Sequence, residues 1–212
     1  MSELAEFQRR LAEERRVPGR VAKAFADAVG TGNVGAISAT LSSLDRVGAW
    51  RPRLKAVSRL PCVLPAVRDW FLGVWVEHGD HIRSEVNDDL ILFDGLRALL
   101  PIYDGPALKL YRGDSAYNRR CRSYGPSWTI HRDVADGFAC GWWRTFQGGS
   151  VVLETIAPPE AILCAPHLLG DEGMDEGEFI VDRRRLCTVC VVQRYDQVGA
   201  DRVPTVAGAL RI

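Results

Sequence analysis

The apolar pattern changes period at Pro101, and this change constrains the fold more than any other feature of the sequence. From Ser2 to about Leu100, apolar residues recur at helical spacings, as in Leu4, Phe7 and Leu11 and again in Val21, Phe25 and Val29. Strand-like alternation is nearly absent there. Breaks at Pro18-Gly19, at Gly30 to Asn33, and at Pro61 and Pro65 before a segment around Trp70 to Trp75 predict about four or five short helices. Beyond Pro101 the texture turns to short β-type runs: Ala107 to Tyr111, Ser150 to Ile156, Ala161 to Cys164, Glu178 to Val181 and Leu186 to Tyr195. One helix, Arg132 to Trp142, interrupts them, with Val134 and Phe138 four residues apart on one face. The expected fold class is therefore α+β, with a helical region over 1–100 and a mixed region over 101–212.

Composition excludes several function classes. The 212 residues carry 27 basic and 27 acidic side chains, so no net charge recommends a nucleic acid or an acidic membrane as partner. The charged start MSELAEFQRRLAEERR lacks the apolar core of a secretory signal, and no later stretch is apolar enough to span a bilayer. The expectation is a cytoplasmic protein without membrane contact. Six cysteines, at positions 62, 121, 140, 164, 187 and 190, lack the spacing of a disulfide framework and read mostly as small core residues. Cys187 and Cys190 lie in LCTVCVVQ, a strand-like run in which positions three apart point to opposite faces, so they are poorly placed for a metal. His78 and His81 read as a solvated helix end, and no metal is expected.

Charge in the first half is polarised. Arg46 to Arg68 holds six basic residues and no acid, whereas Asp69 to Asp94 holds seven acids and only Arg83. Two readings stand: a partner-binding surface, or two solvated faces that pair with each other.

No GxGxxG follows a strand and no GxxxxGK[ST] occurs, so neither a Rossmann site nor a P-loop is signalled. Three polar clusters in the second half remain. Tyr111-Arg112-Gly113 closes a strand, and alternation sets Arg112 on the face of Leu108 and Leu110, where its planar fork of donors can grip a phosphate or make a surface ion pair. Gly113 permits close backbone approach. In Ser127-Trp128-Thr129 the two hydroxyls face one side and the indole the other; they can orient a carboxylate, and Thr129 or Asp133 can cap the following helix. In Asp175-Glu176-Gly177-Glu178, two carboxylates two residues apart share a face at a strand's entrance, read either as a site or as an acidic loop.

Taken in order, aromatic-Arg-Gly, Ser-x-Thr leading into an A-x-x-F-A helix, and Glu-x-Glu opening a strand resemble the signature of the ADP-ribosyltransferase family related to clostridial binary toxins and vertebrate ecto-ADP-ribosyltransferases. The resemblance covers roughly Leu108 to Tyr195. It implies a split β-sandwich enclosing an NAD⁺ cleft, with NAD⁺ as substrate, and a mono-ADP-ribosyltransferase acting on a protein side chain, arginine foremost, as a toxin, effector or phage-related modifier. By the resemblance, Arg112 binds the NAD⁺ phosphates, Ser127 orients Glu178, Glu178 contacts the nicotinamide ribose, and Glu176 engages the acceptor. Gly113, Trp128, Thr129 and Phe138 accompany these motifs. Trp143 and Arg144 fall where the family has a loop bordering nicotinamide and phosphate. The loop from Ala165 to Asp175 corresponds to the segment that selects the target protein, and the N-terminal region is a cap, a partner-binding domain or a regulatory bundle. Trp128 and Thr129 depart from the more usual Ser-Thr-Ser.

The chemistry asks for these residue types on its own grounds. Cleaving the nicotinamide bond builds positive charge on the ribose, which a fixed carboxylate stabilises. A guanidinium acceptor is a poor nucleophile, so a neighbouring carboxylate must orient it and accept its proton. Water as acceptor gives an NAD⁺ glycohydrolase with the same residues. Transfer to a nucleic-acid base and a non-catalytic interaction protein of this fold are the other readings.

Overall fold

The computed structural model describes residues 3–42, 49–165 and 177–199. The chain divides into two compact units, Met1–Pro101 and Ile102–Ile212. Described in the first are helices α1 (Glu3–Thr31), α2 (Val34–Ser42), α3 (Trp50–Val57), α4 (Pro65–Val86) and α5 (Asp89–Leu99). Two of them are long, at 29 and 22 residues, where short helices were expected. Pro18 lies inside α1 and does not end it. An interior proline costs about 3 kcal/mol, but beyond it Ala22, Phe25, Ala26 and Val29 are buried, and that packing holds the helix together across the missing bond. The break at Gly30 to Asn33 is real: Gly32 takes a left-handed φ of 73° and α2 starts at Val34. Asn87, at φ 42°, closes α4, and the Asp88 carboxylate accepts from the Leu90 and Ile91 amides to start α5.

The basic run is not simply a solvated face. Arg46 lies outside the described residues, Arg53 is fully buried, and Arg68 donates to the carbonyl oxygens of Val63, Arg97 and Leu100, sealing the C-terminal end of α5. Burial lowers the pKa of Arg68. Elsewhere the basic and acidic runs do pair, with Arg51 Nη2 2.8 Å from Asp88 Oδ2 and the Trp50 amide donating to Glu85 Oε1. His78 and His81 sit within α4 and not at its end, 3.6 Å from Glu77 and Glu85 respectively.

The second unit contains β1 (Leu108–Ser115), α6 (Ala116–Cys121), β2 (Ser127–Thr129), α7 (Arg132–Cys140), β3 (Ser150–Ala157), β4 (Ile162–Cys164), β5 (Glu178–Val181) and β6 (Val189–Tyr195). The strands form one six-stranded sheet in the order β4-β5-β2-β1-β3-β6, with every neighbour antiparallel. The protein is thus α+β, and its described strands form one continuous sheet, where two small sheets were expected. That sheet is unevenly stitched: β1 and β3 pair from Leu108↔Ala157 to Ser115↔Ser150, whereas β1 meets β2 only at Tyr111↔Thr129. One face carries a core around Trp128, Phe179, Leu110 and Leu153, and α7 covers the other through Ala135 and Ala139 against Val152.

Two boundaries differ from expectation. Helix α7 stops at Cys140, and a tight turn over Trp142–Thr145 follows, because Gly141 leaves helical geometry. The strand read from Leu186 begins only at Val189, after a turn over Arg183–Arg185 in which the buried Asp182 carboxylate accepts from the Arg184 amide and side chain. Cys187 therefore precedes the strand. Cys164 alone of the six cysteines is buried; Cys140 is half-buried and the other four are exposed, because they fall in turns, at a helix end or on the edge strand β6.

Candidate functional site

Three consecutive strands, β5, β2 and β1, carry the three polar clusters. The register of β2 and β5 pairs Ser127 with Ile180, Trp128 with Phe179 and Thr129 with Glu178. Alternation then sets Ser127, Thr129 and Glu178 on one face and turns Trp128 and Phe179 to the other. Trp128 is 1% exposed, with its ring edge-on to Tyr124 at 5.8 Å, so it is a core residue and presents nothing to a ligand. Thr129, not Ser127, stands directly across from the half-buried Glu178. Its hydroxyl oxygen also accepts the His131 amide at 2.9 Å, joining the end of β2 to the start of α7.

Gly177 leads into Glu178 with φ 55°, which side-chain-bearing residues rarely adopt. A β-carbon there would lie 2.7 Å from His131 Cδ2 and 2.8 Å from Ile130 Cγ1. The peptide before Glu178 is therefore packed against the His131 ring, and the Ile130 amide donates to Gly177 O. The sequence reading passed over His131. Glu176 lies outside the described residues, as does the expected target-selecting loop beyond Ala165.

Arg112 sits inside β1, which runs on to Ser115 and so is not closed by Tyr111-Arg112-Gly113 as expected, and only 12% of its side chain is exposed. Its Nε donates to Asp114 Oδ2 at 2.7 Å and its Nη1 to the carbonyl oxygen of Ser127 at 2.6 Å. The second bond crosses the sheet where β1 and β2 share a single register pair, so a side chain does part of the stitching there. The close approach that Gly113 allows is to protein, not to a ligand. A β-carbon at Gly113 would collide with Ala135 O and stand 2.5 Å from the Ala139 nitrogen, so α7 lies directly on the strand. Phe138 packs at the same place, its Cβ 2.9 Å from that position.

Trp143 and Arg144 make their contacts elsewhere. The Trp143 ring lies 5.3 Å from that of Phe146, Arg144 Nε donates to Asp196 O, and its guanidinium lies over the Tyr195 ring at 5.8 Å. Tyr195 in turn donates to Asp136 Oδ1 at 2.8 Å, tying β6 to α7. A hydrogen bond with Cys140, then burial, then the bond to Asp136 push the Tyr195 pKa well above its usual value. Lys109 is raised by its hydrogen bond to Glu154.

The strands bring Arg112, Ser127, Thr129 and Glu178 onto neighbouring segments but not onto one face: the Tyr111↔Thr129 pair sets Ser127, Thr129 and Glu178 on the face that α7 covers and Arg112 on the face of Leu110, Trp128 and Leu153. The contacts found for Trp143 and Arg144 are to Phe146, Tyr195 and Asp196. Asp114 and Asn118 were missed in the sequence, although Asp114 shares a strand face with Arg112 two residues away, a signal that was legible. Among the described residues no group of three or more His, Cys, Asp or Glu is placed to hold a metal, and no helix is long and apolar enough to cross a membrane. Comparison with protein-family models, curated proteins and solved structures gave no match to this chain.

Proposed function

We propose that this chain is an NAD⁺-dependent mono-ADP-ribosyltransferase that moves ADP-ribose to a protein side chain, with arginine the favoured acceptor. The observation that carries the reading is the strand order β5-β2-β1. It sets the segments bearing Glu178, the Ser127/Thr129 pair and Arg112 side by side, although they are separated by up to 66 positions in the chain. A guanidinium held on β1 by two protein oxygens suits the NAD⁺ pyrophosphate. Glu178 opens its strand opposite a hydroxyl residue and is placed to stabilise the positive charge that grows on the ribose as nicotinamide leaves. Glu176, two residues before it, takes the acceptor guanidinium and its proton on this reading.

The test is to incubate purified protein with labelled NAD⁺ and a cell lysate, comparing wild type with Glu178→Ala. Label on a discrete protein band is expected, falling by about 10²–10³-fold or more in the variant. Nicotinamide release without labelled protein would convert the reading to an NAD⁺ glycohydrolase. Absence of both labelled protein and nicotinamide release would overturn it.

A further inference from the structure

Arg112 does not stand alone on β1. The Asp114 side chain is fully buried, and its two oxygens are both used: Oδ2 accepts Arg112 Nε, and Oδ1 accepts Asn118 Nδ2 at 2.7 Å and the Ser115 amide at 2.8 Å. Asn118 is held from the other side, its Oδ1 accepting from Ser123 Oγ at 3.3 Å and its backbone N–H donating to Ser115 Oγ. The chain of bonds therefore runs from the loop after α6, through Asn118 and Asp114, to Arg112 and on to the Ser127 carbonyl oxygen. Nε and Nη1 of the guanidinium are committed to protein oxygens, and among the described residues Nη2 has no partner.

A carboxylate buried so fully is costly unless donors surround it, and here three N–H groups do so, one of them from a cation. The guanidinium is planar, so fixing Nε and Nη1 on two separate oxygens fixes the direction of Nη2 as well. An arginine free to rotate would have to lose that freedom on binding an anion; this one has lost it already.

We propose that Asp114, braced by Asn118, is a positioning residue that locks Arg112 with one guanidinium edge turned toward an anionic group of the substrate. This rests on the ADP-ribosyltransferase reading, in which that anion is the NAD⁺ pyrophosphate. Asp114 does not touch substrate; it acts through Arg112. Asn at position 114 retains the shape but can offer its amide nitrogen to Arg112 Nε, donor against donor, and removes the charge that balances the guanidinium.

The experiment is steady-state NAD⁺ consumption by the full chain, with kcat and KM measured separately for wild type, Asp114→Asn, Asn118→Ala, Arg112→Lys and Arg112→Lys/Asp114→Asn, and with a thermal melt of each. Asp114→Asn is expected to raise KM for NAD⁺ roughly tenfold or more while kcat changes much less, since a contact made equally in ground and transition states acts on KM. Asn118→Ala is expected to raise KM about threefold. The double variant should be no worse than Arg112→Lys alone, because the two residues act as one unit. Equal falls in kcat for all variants, tracking their melting temperatures, or additive effects in the double variant, would overturn the positioning role and leave the transferase reading intact. If Asp114→Asn does not fold, Asn118→Ala decides: an unchanged KM overturns the proposal. A wild type that consumes no NAD⁺ removes the reading and the proposal with it.

Discussion

Each unit of this protein takes an arginine out of solvent, Arg53 fully and Arg112 in large part, and they are held on different terms. In the helical unit, Arg53 is fully enclosed; its guanidinium lies 5.4 Å from the Phe25 ring centroid and 5.7 Å from that of Trp50. Only Nη2 finds an acceptor, the Thr40 carbonyl oxygen at 3.3 Å, while Nε and Nη1 are buried with no hydrogen-bond partner among the described residues. Burial brings its pKa down to about 10, against the pull of Glu85. In the sheet unit, Arg112 is bonded to a buried carboxylate and a carbonyl oxygen, and the nitrogen left over is not a buried orphan. The first cation is a packing element that costs stability by being charged. The second is neutralised by a partner and holds one edge in reserve, which is the condition for recognising an anion without an ordering cost.

Substituting each arginine by methionine puts the contrast at risk most directly. Arg112→Met leaves Asp114 buried without its cation and should destabilise the fold by about 3–5 kcal/mol. On the proposed transferase reading it should also weaken NAD⁺ binding. Arg53→Met replaces a poorly satisfied charge by an apolar chain of similar length and should move stability by no more than about 1 kcal/mol, or raise it. Urea unfolding of both variants is the measurement, and equal losses would erase the distinction.

Alkaline titration sharpens it. With its pKa lowered on folding, Arg53 keeps its full penalty below pH 10 and sheds it as the folded protein releases the proton first. From about pH 9 to 11, wild type should therefore gain stability relative to Arg53→Met. Tyr195 in the sheet unit must do the opposite. Its raised pKa means the unfolded chain, titrating near 10, loses the proton first, so its contribution falls as pH rises. The smallest effect expected is Tyr195→Phe, which removes the bond to Asp136 and should cost about 1 kcal/mol at neutral pH. Wild type should lose that advantage above about pH 10, and the two differences should slope in opposite directions when measured by chemical unfolding at each pH.

Local signals proved legible where one short segment decides the outcome. Glu178–Val181 is a strand over the residues its β-branched run indicated, and Gly30 to Asn33 separates two helices because Gly32 needs a left-handed backbone. Such signals misled where distant packing outweighs them. Pro18 reads as a helix end, yet the burial of Phe25 and Val29 carries α1 through it. The basic run around Arg53 reads as a surface, either for a partner or simply solvated, yet aromatic rings from α1 and α3 enclose that side chain. In the candidate site, residue types and their order were visible in the sequence, but not which hydroxyl faces Glu178 or what holds Arg112.

By its own periodicity and spacing, the sequence determined a helical first half, a stranded second half, and the positions of Arg112, Ser127, Thr129 and Glu178 within it. Alternation on a strand is local, so it also determined that Trp128 turns away from its two hydroxyl neighbours. Only the tertiary structure decided the register that sets Thr129 against Glu178, the single pair joining β1 to β2, and the closure of α7 onto Gly113. It also decided that Asp114 and Asn118 brace Arg112. Each of these depends on segments brought together by burying a shared core, and the free energy of that burial belongs to pairs of residues distant in the chain, which no local window contains.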